Sequence, residues 1–143
     1  MAEFVMQRRV EFVDTDMGGI VHFSRYPIFM ETAEHCFLES LGWSVNCVID
    51  GCHIGWPRVS FQCDYLRPLR FGQTFEVVVT VLRRGSKSVT YGFVLREGGE
   101  DLAKGSMTSV CCHLLPDQSV RSLEIPEKLA AQLDTFVVEG GGS

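Results

Sequence analysis

Two aspartates separated by one residue stand directly ahead of a glycine pair in Glu11-Phe12-Val13-Asp14-Thr15-Asp16-Met17-Gly18-Gly19-Ile20-Val21-His22-Phe23-Ser24. Read as a strand that passes through a glycine turn into a helix, this segment sets carboxylates beside a helix N-terminus. Free N–H groups and the helix dipole there stabilise negative charge, including an oxyanion that forms during a reaction, and Gly18-Gly19 lets the backbone come close to a ligand. A carboxylate facing such a site can act as a nucleophile or as a general base toward water. Plainer roles compete with this one. Asp14 and Asp16 would equally serve as local caps for backbone N–H groups, as most Asp residues beside Gly do, and His22 can be an interfacial histidine without chemistry. A calcium loop does not fit, because it needs an oxygen ligand at 18 and glutamate at 25, where the chain has Gly18 and Arg25.

The elements that must hold this segment follow from apolar periodicity. Val5 to Val13 reads as a first strand and 14–21 as a polar loop. From Ser24 to Leu41 the period becomes helical, with Phe29, Ala33, Phe37 and Leu41 at four-residue steps and Met30, Cys36 and Leu38 widening the apolar face. Ser24 is the expected N-cap, Pro27 suits the first turn and Gly42 the stop. Glu31, Glu34, His35 and Glu39 on this helix each need water or a partner.

Four strands are expected after an irregular stretch through Gly51, over His53–Tyr65, Thr74–Arg84, Ser88–Arg96 and Leu102–Leu115. Phe75, Val77, Val79 and Val81 share one parity, as do Val89, Tyr91, Phe93 and Leu95. Short connections at Gly85 and Gly98-Gly99 predict antiparallel hairpins. A last short helix opens at Pro126-Glu127 with Leu129 and Leu133 inward. The order is α+β: one long apolar helix that a curled antiparallel sheet could cover.

Composition bounds the rest. The chain of 143 residues suits a single domain, expected over 1–137 with a disordered tail at 138–143. A net charge of -5 argues against a general attraction for nucleic acid or anionic membrane, so an anionic ligand needs a local basic patch. No run approaches a bilayer span, and the first residues lack the apolar core of a secretory signal, so a cytoplasmic location is expected. Six cysteines without a CxxC pair read as buried free thiols, and Cys111-Cys112-His113 is a poor zinc site because neighbouring strand residues point to opposite faces. No metal is expected.

The stretch from Asp14 to Glu31 resembles the D-x-D-x-x-G-(I/V)-V signature of hotdog-fold acyl-CoA thioesterases of the 4-hydroxybenzoyl-CoA thioesterase type. Tyr65-Leu66-Arg67-Pro68-Leu69-Arg70-Phe71-Gly72, Arg83-Arg84-Gly85-Ser86-Lys87-Ser88 and Ile125-Pro126-Glu127-Lys128-Leu129 resemble later segments of that family. The resemblance implies a hotdog fold, a curved antiparallel sheet around one long central helix, assembled as a homodimer or homotetramer with the active site between subunits. It implies hydrolysis of an acyl-CoA with no cofactor beyond the coenzyme A of the substrate. Asp16 stands at the position of the catalytic carboxylate, the Phe23 N–H at that of the group polarising the carbonyl, and His22 where relatives carry His or an aromatic residue. Glu31 matches a frequent acid of the helix.

A thiolate leaves with little acid help, so one carboxylate and an oxyanion donor suffice for such a reaction. Arg67, Arg83, Arg84, Ser86, Lys87 and Ser88 form the expected binding rim for coenzyme A, with Arg70 beside them. Phe29, Met30, Trp56, Phe61 and Tyr65 are candidate acyl-pocket residues. Two other readings stay open. His22-Phe23-Ser24-Arg25-Tyr26-Pro27 resembles faintly the H-F-x-x-x-P of 3-hydroxyacyl carrier-protein dehydratases, and the same fold could serve as a non-catalytic acyl-CoA binding module.

Overall fold

The alternation in the two long central strands decides the sheet. In the computed structural model, which describes residues 2–138, Phe75, Val77, Val79 and Val81 and then Val89, Tyr91, Phe93 and Leu95 all turn to one face and are buried. The strands β1 (Phe4–Arg9), β4 (Arg58–Tyr65), β5 (Thr74–Arg84), β6 (Ser88–Glu97) and β7 (Glu100–Val110) form one antiparallel sheet in the order β1-β5-β6-β7-β4. A smaller sheet, β2-β3-β8-β9, joins β2 (Cys47–Ile49), β3 (Cys52–Gly55), β8 (Cys112–Leu114) and β9 (Val120–Ser122).

Helix α1 (Tyr26–Ser40) lies on the apolar face of the large sheet, with Phe29, Met30, Ala33, Phe37 and Leu38 buried. It reaches every strand of that sheet. Phe37 packs on Phe4 of β1 and on Tyr91 of β6, Phe29 packs on Phe75 of β5, and Glu34 bonds to Ser109 of β7 and Arg58 of β4. A flat sheet cannot touch one helix with all five strands, so the sheet curves around α1, as the hotdog arrangement requires. Gly105 of β7 sits where a Cβ would come within 2.8 Å of the Met30 thioether, so only glycine lets helix and sheet approach this closely there. Helix α2 (Glu127–Asp134) closes one end, its Gln132 bonding to the Trp43 indole at 2.7 Å and to the Leu41 carbonyl at 2.9 Å.

Several boundaries differ from the sequence reading for identifiable reasons. The first strand ends at Arg9 rather than Val13, because the carboxylate of Asp14 accepts the Glu11 N–H and curls 12–14 into a 3-10 turn. The strand expected over His53–Tyr65 splits into β3 and β4 at Trp56-Pro57, where Pro57 has no N–H to donate and the two halves join different sheets. Leu102–Leu115 splits likewise into β7 and β8 at Cys111, whose N–H turns to the Lys87 carbonyl. The short β2 and β9 lie in stretches without periodicity. Ser24 is not the helix cap: a 3-10 turn over Phe23–Arg25 precedes α1, and the capping side chain is His22. Of the six thiols, only Cys111 and Cys112 are buried, while Cys36, Cys47, Cys52 and Cys63 are half-buried. Of the tail expected at 138–143, Val138 donates to the Val81 carbonyl, and 139–143 lie outside the described residues.

The apolar stripe of α1 carries one buried acid. Glu34 is fully buried, held by Arg58, with Ser109 Oγ donating at 3.2 Å; the His35 ring lies nearby, its Nε2 facing the Arg58 guanidinium at 3.3 Å. Loss of water pushes its carboxyl up to about 7, against the opposing pull of Arg58 and Ser109, while Glu31 adds to the rise. Tyr91, also fully buried, is the other titratable neighbour, and its hydroxyl has no hydrogen-bond partner among the described residues. A carboxyl raised in this way holds its proton in the folded chain over a pH range where the unfolded chain has lost it. Its stabilisation is therefore complete below about 4.5 and lost as pH rises through about 7. The whole effect is roughly 3 kcal/mol at most. Between pH 5 and 7.5 the urea midpoint of the wild type should fall relative to that of Glu34→Gln; parallel curves would show that Glu34 is not proton-linked to folding.

Candidate active site

The loop that carries the two aspartates is a small hairpin. Thr15 and Val21 pair across it, Ile20 pairs with Arg70, and the Val21 N–H donates to the Leu69 carbonyl at 2.8 Å. Inside the turn the Asp16 N–H donates to Ile20 and the Gly19 N–H to the Asp16 carbonyl. Gly19 has φ +80°, a conformation that suits glycine, and a Cβ on Gly18 would crowd Asp16 Oδ1 at 3.1 Å. The glycine pair thus shapes the turn around the second aspartate.

The two carboxylates have opposite fates. Asp14 is fully buried; its Oδ1 accepts from Arg25 Nε at 3.0 Å and its Oδ2 from the Glu11 N–H at 2.8 Å, while its carbonyl takes the His22 N–H. Both its oxygens are committed to the fold. Asp16 is exposed, and only Oδ1 is engaged, accepting the Gly18 N–H at 2.8 Å. Its Oδ2 is free of partners among the described residues.

Asp16 walls a cavity of about 370 Å³ together with Ile20, Val21, Phe23, Tyr26, Tyr65, Leu66, Arg67 and Pro68. The head of α1 forms one side. His22 caps the turn, its Nδ1 accepting the Ser24 N–H at 3.2 Å, with Ser24 Oγ 2.7 Å away, and its ring lies over Phe23. An accepting Nδ1 places the proton of the neutral ring on Nε2. The Phe23 N–H, first of the turn, meets no acceptor among the described residues, so it is available to an incoming oxygen. Tyr26 and Tyr65 meet edge to face with centroids 4.7 Å apart, and the Tyr65 hydroxyl donates to the Phe23 carbonyl at 3.3 Å. Burial pushes the Tyr26 hydroxyl up to about 12, with Cys63 and Tyr65 adding to the rise, so it stays neutral and protonated.

The structure brings some expected residues together and separates others. Asp16, Phe23 and Arg67 share the cavity, with Arg67 also 3.4 Å from Glu100; His22 adjoins Phe23 without walling the cavity. Arg83, Arg84, Ser86, Lys87 and Ser88 lie at the hairpin between β5 and β6, the opposite end of the sheet from Thr74 and the Asp16 loop. Ten strand residues separate the two ends, about 33 Å. Arg84 is already held by Asp134 through two bonds of 2.7 and 2.9 Å, which raise its guanidinium above its usual range. Arg83, Ser86 and Lys87 are exposed.

Of the expected acyl-pocket residues, only Tyr65 walls this cavity. Phe29 and Met30 are core, and Trp56 borders a separate cavity of about 390 Å³ with Glu31, His35 and Arg58. Among the described residues no cluster of His, Cys, Asp or Glu could hold a metal ion. The sequence reading missed Tyr26 and Leu66 as walls and Arg25 as the partner of Asp14; the position of Tyr26 at the helix head, one turn past Phe23, was the available signal.

Comparison with known proteins bears on this geometry. A family model described as the thioesterase superfamily matches residues 18–104. A putative esterase of Aquifex aeolicus is 30% identical over 110 residues, 76% of this chain and 83% of that one. A 1,4-dihydroxy-2-naphthoyl-CoA hydrolase of Thermosynechococcus vestitus is 29% identical over 128 residues, covering 89% and 86%. The crystal structure of a 1,4-dihydroxy-2-naphthoyl-CoA thioesterase from Synechocystis superposes with a TM-score of 0.81 at 21% identity, covering 93% of this chain and 96% of that one, a likeness of fold.

The division of labour between the aspartates is open to direct measurement. Asp14→Ala strands Arg25 and removes two accepted bonds, so it should cost about 3 kcal/mol of unfolding free energy. Asp16→Ala loses one exposed bond and should cost less than about 1 kcal/mol. Equal losses in urea titrations would refute the assignment of the buried structural role to Asp14 rather than Asp16.

Proposed function

The chain belongs to the thioesterase superfamily and is a thioester hydrolase, and from that premise we propose that Asp16 is its reactive carboxylate and the Phe23 N–H its oxyanion donor. The observation that carries this reading is that Asp16, whose Oδ2 has no partner among the described residues, borders the same cavity as Phe23, whose N–H has none there either. A thioester carbon lying between them has its carbonyl oxygen at the Phe23 N–H. Its electrophilic face then turns to Asp16 Oδ2 or to a water that Oδ2 deprotonates. As the tetrahedral species collapses, the C–S bond breaks and coenzyme A leaves as a thiolate, which needs little protonation because its pKa is roughly 8.5. The water route gives the free acid at once, and direct attack gives an anhydride on Asp16 that a water then cleaves to the free acid and the restored carboxylate. No cofactor enters this sequence.

Membership of the 4-hydroxybenzoyl-CoA type is the finer part of the reading. It is supported by the aspartate of the D-x-D loop and by the aromatic acyl-CoA named for the relative from Thermosynechococcus vestitus.

We further propose a homodimer, itself the unit of a homotetramer, as the working form. Strand β4 is an edge of the large sheet, with Val59, Tyr65 and Leu66 exposed along it. A two-fold axis makes pairing of β4 with a second copy antiparallel. The Arg58 end of the partner then lies beside the Tyr65 end of the first copy. Arg58 pairs with Ser109, and Ser109 with Val89, so the partner's basic hairpin comes to the first copy's cavity. The distance that separates the cavity from this hairpin within one chain is thereby closed between two, and Lys87 and Arg83 can meet coenzyme A phosphates.

Thiol release from acyl-CoAs should fall by about 10² to 10⁴ in Asp16→Asn with the fold retained. A variant with Arg83→Ala and Lys87→Ala should raise KM. Mixing the two inactive or weakened variants should restore part of the activity, because one hybrid site then pairs an intact cavity with an intact hairpin. Full activity of Asp16→Asn would remove it from the chemistry, and absence of complementation would remove the shared site.

A further inference from the structure

We propose that the Tyr26 hydroxyl reads the acyl part of the substrate, donating a hydrogen bond to an oxygen that the acyl group carries beyond its thioester carbonyl; this rests on the hydrolase reading above.

Exposure orders the cavity from mouth to floor. Phe23 is 66% exposed and Leu66 51%, whereas Val21 and Tyr26 are 4% and 3%. Coenzyme A is bulky and polar and belongs at the mouth, so with the carbonyl held at Phe23 the acyl group extends toward Val21 and Tyr26. That floor is apolar except for one group. Asp16 Oδ1 is taken by the Gly18 N–H and the Tyr65 hydroxyl by the Phe23 carbonyl, but the Tyr26 hydroxyl has no partner among the described residues.

Tyr26 is held from both sides, by Tyr65 edge to face at 4.7 Å and by Phe29 at 5.9 Å, so its hydroxyl keeps one place at the cavity. Its neutral state suits a donor and rules out a base. A few fixed polar groups in an apolar pocket set ligand orientation, and a site built to bond a substrate oxygen discriminates against the analogue that lacks it. The ligand class is therefore an acyl-CoA with a ring or chain oxygen within reach of the floor. A role in holding the attacking water is the competing use of the same hydroxyl, and it predicts a different result.

The probes are benzoyl-CoA and its 2-, 3- and 4-hydroxy derivatives, with thiol release followed for the wild type, Tyr26→Phe and Tyr65→Phe, each checked by circular dichroism. The wild type should prefer at least one hydroxylated isomer, a result read without any variant. Tyr26→Phe should cut that preference, as the ratio of kcat/KM values, by about tenfold to hundredfold. Tyr65→Phe should slow all substrates alike and leave the ratio in place. No preference in the wild type, or a ratio unchanged by Tyr26→Phe, overturns the proposal. Equal slowing of every substrate by Tyr26→Phe also overturns it and assigns the hydroxyl to the reacting centre. If the wild type releases thiol from none of these and from no aliphatic acyl-CoA, it is the underlying hydrolase reading that falls.

Discussion

A buried ion pair holds this site together. Asp14 and Arg25 join the hairpin of residues 15–21 to the turn at the head of α1, with the second oxygen of Asp14 fastening the chain back to Glu11. That clasp, with the His22 N–H bonding back to the Asp14 carbonyl, sets the hairpin against the helix head and so shapes the cavity between them. The clasp also explains how two identical side chains two residues apart differ in use. Burial and a cation commit one, and exposure on the glycine turn frees the other. Charge inside the fold at 14 is thus the condition for uncommitted charge at 16.

The second buried acid works differently. Glu34 sits on the apolar stripe of α1 between Met30 and Leu38, and an ion pair there does not stabilise by default, since desolvation offsets most of the attraction. What Glu34 and Arg58 fix is position. Arg58 begins β4, its other nitrogen reaches the Trp56 carbonyl, and the register of β4 against β7 shifts between Arg58 and Ser60. The pair therefore marks where the chain leaves the small sheet and enters the large one, at the place where Pro57 has already interrupted the ladder.

These two pairs separate what was legible in the sequence from what was not. Strand β5 and the two central hairpins could be read because alternation over eleven residues and glycine turns are local signals. A pair of carboxylates before a glycine turn and a helix start is a local signal as well, but it was the family resemblance that singled out Asp16 from Asp14 and the N–H of Phe23 from its neighbours. The break at Trp56-Pro57 was visible as a proline but was outweighed by the apolar residues on either side. Arg25 and Arg58 as partners of buried acids were not legible, since eleven and twenty-four residues separate them from Asp14 and Glu34 and only the fold brings them close. Glu34 was read only as one of four polar residues on the helix, with Glu31, His35 and Glu39, that each need water or a partner; which of them is buried was decided by the sheet that packs on it. The basic run 83–88 was read as one rim with Arg67, an inference that sequence proximity to other motifs cannot support once a strand's length intervenes.

That separation is informative about assembly. A sheet of this length puts the Asp16 cavity at one end and the basic hairpin at the other, and in an acidic chain that hairpin is the kind of local patch an anionic ligand needs. Within one protomer the anion would lie about 33 Å from Asp16. Antiparallel pairing of two β4 edges removes the mismatch without any change in either chain, because a two-fold axis sets each end beside its opposite. In the proposed dimer the same operation would cover the exposed backbone of the edge strand and the apolar side chains along it, so the edge that would otherwise invite aggregation would become the element that completes the site.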